Sequence, residues 1–189
     1  MPLIPDNFYF KKQSKNDKRF EYDHELLKLS LEKTIKQYGA YKLVPLSINA
    51  NYKRVEILAQ ADKFENIIFK HSVSSERLNK LGYVPFPVDL GIVGYRVGFV
   101  SKNNKSKIKN IKNLKELKKI SILQGLGWLD TEILKYNGFK VVTGSSYSGL
   151  FKMTARNRGD LFLRGANELY NEWQANKNIG NLSYDNNIA

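Results

Sequence analysis

The sequence predicts an α/β fold with largely parallel sheets, and three observations carry that prediction. Short apolar runs alternate with helix-periodic segments along most of the chain. Glycines stand where the helices should stop, at Gly39 and Gly138. The 42% of hydrophobic residues supplies a core, yet no apolar run is long enough for a transmembrane helix.

In chain order, Phe8, Tyr9 and Phe10 predict a first strand, followed by a polar loop, KKQSKNDKR. A helix is predicted over Asp23–Tyr38. Asp23 is a candidate N-cap, and Leu26, Leu27, Leu31 and Ile35 recur near the helical period. A strand follows over Tyr41–Ile48, interrupted by Pro45, which cannot donate to a ladder and so marks an edge or a bulge. Lys53–Gln60 reads as a short helix, Glu65–His71 as a buried strand, and Ser74–Leu81 as a polar turn entering a helical turn. Tyr83–Pro87 and Gly94–Val100 read as extended pieces.

The second half repeats the alternation. Strands are predicted at Ile120–Leu123, Phe139–Val142 and Leu161–Leu163, with helices at Trp128–Tyr136 and Tyr147–Arg156 between them. The Asn-rich tail from Ala175 to Ala189 has little apolar content and is expected to fray.

The formal charge is +13, from 31 Lys+Arg and 18 Asp+Glu, and it is unevenly placed. Residues 101–119 alone carry eight Lys and one Glu, a net +7. A nucleic-acid-binding module centred on residues 102–119 is therefore one reading. It is disfavoured because 24 of the 31 basic residues are Lys, whereas base edges are read best by the planar fork of Arg. The same stretch has an apolar seam, Ile108, Ile111, Leu114 and Leu117, which predicts a docked turn with its lysines in water.

Several chemistries are excluded or unsupported. Without cysteine there are no disulfides, thiolate nucleophiles or Cys-ligated zinc, and the only histidines are His24 and His71. No metalloprotease, nucleophile-elbow or kinase pattern occurs, so no enzyme, metal or cofactor is predicted.

Three constellations could hold a ligand. The first is ISILQGLGWLDTEIL (120–134), where a strand turns through Gly125 and Gly127 into a helix. The unpaired N–H groups of such a helix start attract an anion, and Trp128 could cover it. A tight connection with Trp128 in the core accounts for these residues equally well. The turn lacks the third glycine of a dinucleotide fingerprint and the Lys of a P-loop. The second is SVSSER (72–77), where hydroxyls and Arg77 follow a strand and could clamp a carboxylate. Its plain alternative is a helix cap at Ser74 or Ser75 with Arg77 in a surface ion pair. The third is DLFLRG (160–165), whose Arg164 needs a partner if buried and no explanation if exposed.

Five segments together resemble a known family: ELLKLSLEKTIKQYGAYKL (25–43), SSERL (74–78), GYRVGFVSK (94–102), LKELKKISILQGLGWLDTEILKYNGFKVVTGSSYSGLFKM (114–153) and RGDLFLRGANELYNEW (158–173). Their order is similar to that in bacterial ABC-transporter solute-binding proteins of the amino-acid-binding, type II periplasmic-binding-protein-like kind. The resemblance implies a two-lobed α/β fold with mostly parallel sheets that captures a small polar or anionic ligand for a membrane ABC permease. By the resemblance, lobe 1 takes residues 1–97, lobe 2 residues 98–173, and residues 174–189 form a polar tail.

The resemblance also implies roles for residues. Arg77, with Ser74 and Ser75, holds a ligand carboxylate. Gly127 and Trp128 supply backbone donors and cover. Ser145 and Tyr147 line the next loop. Arg164 stands where the family offers an Asp to the ligand amine, which favours a more anionic ligand. The family is periplasmic, whereas the start MPLIPDNFYF lacks an export signal, so cytoplasmic retention is the alternative. The chain stops soon after Trp173, which predicts an incomplete, truncated second lobe and homo-oligomers formed through unpaired sheet edges.

Overall fold

The computed structural model describes residues 5–11, 21–46 and 52–185. The loop expected after Phe10, the end of the strand expected to reach Ile48, and the last residues of the tail lie outside them. The chain divides into two compact units, Met1–Phe86 and Pro87–Ala189.

The first unit runs β1 (Asp6–Phe10), α1 (Glu21–Tyr38), β2 (Tyr41–Pro45), α2 (Tyr52–Gln60), β3 (Ile67–Ile68) and α3 (Ser75–Leu78). Its sheet is parallel, in the order β2-β1-β3. Pro45 ends β2, as its missing N–H requires. The strand expected over Glu65–His71 shrinks to two residues, because only Tyr9 and Phe10 at the end of β1 lie beside it. Gly39 stops α1 with φ 95°, a left-handed conformation that suits glycine.

The second unit runs β4 (Arg96–Ser101), α4 (Lys105–Lys109), α5 (Leu114–Leu117), β5 (Ser121–Gly125), α6 (Leu129–Tyr136), β6 (Lys140–Gly144), α7 (Tyr147–Ala155), β7 (Leu161–Gly165), α8 (Leu169–Asn176) and β8 (Leu182–Asp185). Its five strands are ordered β6-β5-β7-β4-β8. β5 pairs parallel with β6 and β7, whereas β4 is antiparallel to both β7 and β8. In both units the first strand of the β-α-β-α-β run lies between the other two.

Two expectations need correction here. Residues 174–185 are not a frayed tail: they complete α8 and form β8, whose Leu182 is fully buried. The ladder along the free side of β4 supplies the backbone partners that the polar composition concealed. The division between units falls at Phe86/Pro87 rather than after residue 97, because all of β4 belongs to the second sheet.

The period of two explains the core of the second unit. Along β4, β5 and β7, Phe99, Leu123 and Phe162 face one side, where they pack with Leu150 and Phe151 of α7. Their neighbours Val100, Ile122, Leu161 and Leu163 face the other, against Ile108 of α4 and Ile120. Fully burying each such side chain contributes about 1.5–3 kcal/mol. The first unit, by contrast, has only Leu46 and Val55 as buried apolar residues among those described.

The same pattern settles the Lys-rich segment. Ile108 is buried, with Ile111 and Leu117 packed beside it, while every lysine of the segment except Lys118, which lies over the Phe139 ring, is exposed. Lys107 is tied to Asp160 at 2.7 Å. Asp160 also accepts from the Ser121 N–H at 2.8 Å, the Ser121 Oγ at 2.9 Å and the Asn104 Nδ2 at 3.2 Å. Leu114, the fourth seam residue, stays exposed.

Candidate ligand-binding site

In the first unit, Ser74 caps α3: its Oγ accepts from the Arg77 N–H at 3.4 Å. Ser75 is the first helical residue and is exposed. The cap is thus real, but the surface ion pair that went with it is not. The Arg77 side chain is 12% exposed and lies against Glu56, itself 4% exposed, at 3.7 Å from Nε to Oε1. That distance gives Coulombic attraction without a hydrogen bond.

Among the described residues, Arg77 Nε and Nη1 are buried and have no hydrogen-bond partner, and the same holds for Glu56 Oε2 and His71 Nε2. Lys53 approaches Glu56 from α2 at 3.6 Å. The His71 ring packs edge-on to Tyr52 and Phe69, with centroids 5.1 and 6.0 Å away. Burial first, then the Arg77 charge, holds the His71 imidazole below its ordinary pKa. It is therefore neutral near pH 7.

Leaving a buried donor unsatisfied costs about 1–3 kcal/mol. Nε–H and the Nη1–H groups lie on different edges of the guanidinium, so that cost is relieved by an acceptor at each edge, and a ligand carboxylate supplies one of them. Sequence reasoning found Arg77 but missed Glu56 and His71. Glu56 lies on α2, well before Arg77 in the chain, and nothing local to SVSSER signals it, whereas His71 directly precedes that segment.

In the second unit, Gly127 has φ 78°, as the turn into α6 requires. Trp128 is the N-cap, and its N–H already donates to the Gly125 carbonyl at 3.1 Å. Leu126 N–H is likewise given to the Gly144 carbonyl at 2.9 Å. Gly125 has a packing reason, because a Cβ there would run into the Trp128 indole. Asp130 in the first turn of α6 pairs with Arg96 at 2.7 Å, so that helix start carries its own anion.

Trp128, Tyr147 and Arg164 come together. The Arg164 guanidinium carbon lies 4.9 Å from the Trp128 ring centroid, 5.8 Å from Tyr147 and 5.5 Å from Phe162. Arg164 follows Phe162 by two residues on β7, so it shares the face against α7 and α8. Its Nε donates to both Glu172 oxygens at 2.9 Å, and its Nη2 donates to Glu172 at 2.7 Å and to Glu168 at 2.5 Å. The Tyr147 hydroxyl adds a bond to Glu172 at 2.8 Å. Burial opposes the Arg164 charge, yet the Glu172 and Glu168 carboxylates hold its pKa above the ordinary value.

This cluster holds two carboxylates against one guanidinium. The acidic partner that DLFLRG alone lacks is thus supplied from α8. The spacing Glu168-x3-Glu172 places both carboxylates on one face of α8, but their approach to Arg164 on β7 comes from the turn between strand and helix. Ser145, the remaining expected residue, is exposed just ahead of the α7 N-cap Ser146.

The fold is similar to that of solved amino-acid-binding proteins with a type II periplasmic-binding-protein-like architecture. An ancestral arginine-binding protein bound to arginine superposes with a TM-score of 0.60 at 18% identity, covering 97% of this chain and 79% of that one. The GluR0 ligand-binding core from Nostoc punctiforme, in complex with L-glutamate, matches with a TM-score of 0.60 at 16% identity, over 97% and 80%. The ancestral amino-acid-binding protein AncCDT-1, a precursor of cyclohexadienyl dehydratase, matches with a TM-score of 0.59 at 16% identity, over 96% and 77%. No family model and no curated protein sequence matches the chain. Among the described residues no helix is long and apolar enough to cross a membrane. The nucleic-acid reading finds no support in these comparisons.

Proposed function

We propose that the chain is a non-enzymatic solute-binding receptor that captures a small, amino-acid-like polar or anionic ligand between two lobes. The observation that carries this reading is the buried Arg77 guanidinium, with two nitrogens lacking a hydrogen-bond partner, in a fold whose solved neighbours are bound to arginine and glutamate. Arg77 clamps the ligand carboxylate, with Ser74 and Ser75 at the margin of that clamp. Gly127, Trp128, Ser145, Tyr147 and Arg164 form the second-lobe contribution, Trp128 and Tyr147 as apolar walls.

Arg164 acts there through Glu168 and Glu172 rather than as a free cation. Glu168, 23% exposed, is the better placed of the two to meet a ligand ammonium. The receptor delivers its ligand to a membrane ABC permease on the periplasmic side. Open sheet edges give it a route to self-association.

A thermal-denaturation screen with the standard amino acids and small carboxylates tests the proposal. A ligand that binds only the folded chain raises the midpoint by mass action. At least one amino acid is expected to do so in wild type and not in Arg77→Ala. A screen with no stabilising compound, or a shift that survives Arg77→Ala, overturns it.

A further inference from the structure

A cavity of about 260 Å³ opens along α7, lined among others by Ser145, Ser146, Gly149, Lys152, Arg156 and Arg158. Its lining contains three cations and no carboxylate. Gly149, Lys152 and Arg156 are three and four residues apart, so they share one face of the helix. Arg158 reaches the same wall because the helix ends through Asn157 at φ 55°. The Arg158 N–H then folds back to the Met153 carbonyl at 2.9 Å, and the Asn157 N–H to Thr154 at 3.0 Å. The Asn157 side chain is fixed in turn by Ser101.

The three cations are exposed, and no ion pair engages any of them among the described residues. By contrast, Arg96, Lys107 and Arg164 each hold a carboxylate. Three like charges around one small cavity repel each other, and an anion of charge two reverses the sign of that energy. Across the cavity, the exposed Ser145 and Ser146 bring hydroxyl groups, and Ser146 Oγ already accepts from the Gly149 N–H at 3.3 Å.

We propose that this cavity binds a small oxyanion of the phosphate class, through Lys152, Arg156 and Arg158 with hydroxyl support from Ser145. The site goes beyond the amino-acid reading, with which it shares only Ser145, and the Arg77 clamp takes no part in it.

The test is a titration of the full chain with sodium phosphate against sodium chloride at equal ionic strength, followed by amide NMR shifts and by the thermal midpoint. The site predicts saturable shifts at Ser146 and Gly149, affinity at least tenfold weaker in the Lys152→Gln/Arg156→Gln double variant, and no change in Lys135→Gln, an exposed lysine outside the cavity. Shifts that grow linearly without saturation, or that persist in the double variant, overturn it, because ion exclusion from the surface stabilises proteins without a site. Should the double variant fail to fold by circular dichroism, Arg158→Gln takes its place, with a severalfold weakening expected and unchanged affinity overturning the site. A second arm with glycerol 3-phosphate separates an organic phosphate, which binds more tightly than the free ion, from inorganic phosphate, which does not.

Discussion

Arg164 and Glu172 form a buried ion pair across the β7–α8 corner: Nη2 lies 2.7 Å from Oε1, with side chains 5% and 2% exposed. The Tyr147 hydroxyl, at 2.8 Å from the same oxygen, ties α7 into the corner. Removing one partner leaves an uncompensated buried charge, which costs about 3–5 kcal/mol. Arg164→Met, which leaves Glu172 buried beside Glu168 with no cation, is accordingly expected to destabilise the second unit by that amount, read as a lower urea midpoint. Arg164→Met/Glu172→Leu, which removes both charges, should cost far less. Equal losses in the single and double variants would deny the pair its role.

That corner also shows what the sequence could and could not reveal. The alternation of Phe162 and Arg164 with Leu161 and Leu163 was readable, and so was the helix before them, whereas α8 was not. The partners were not readable from DLFLRG, because Glu168 and Glu172 meet Arg164 only once α8 folds back over β7. Arg77 was found for its chemistry, whereas Glu56 comes from α2 and needs the tertiary fold, and His71 stands directly before the Arg77 segment. β8 was missed because its stability comes from pairing with β4, and Leu182 is its only buried apolar residue.

Gly125 lies under Trp128. Gly125→Ala should push the indole off Phe162, destabilise by about 1–3 kcal/mol and shift the tryptophan emission to the red. Gly94→Ala, at a position with open space around an added Cβ, is the control. An unchanged emission spectrum in Gly125→Ala would show that the indole does not rest on this glycine.

Asp160 predicts an acid transition in the second unit. Burial raises its carboxyl pKa, but the bonds from Lys107 and Ser121 outweigh burial and hold it below the ordinary 3.8. The unfolded chain therefore binds the proton first as pH falls, so the stabilisation is present above about pH 3.8 and is lost below it. Asp160→Asn should be less stable at pH 6, and its curve should converge on wild type toward pH 2. Parallel curves over that range would contradict the assignment.

His71 acts in the first unit with the same sign at higher pH. Its folded pKa lies below the ordinary 6.5, so the unfolded chain takes up a proton that the folded chain refuses. Stability should fall as pH drops below 6.5, and His71→Gln should flatten that slope. A slope unchanged by the substitution would place the titration elsewhere.

The central claim is that Arg77 receives a ligand carboxylate, and isothermal titration with matched pairs tests it most directly. Each of L-arginine, L-glutamine and L-glutamate is titrated beside its α-carboxamide, which keeps the side chain and removes the anion. The account predicts that at least one amino acid binds wild type in the micromolar range, near −8 kcal/mol. Its carboxamide, and its titration into Arg77→Ala, should each be weakened at least a hundredfold. Equal binding of acid and amide, or undiminished binding to Arg77→Ala, would contradict it.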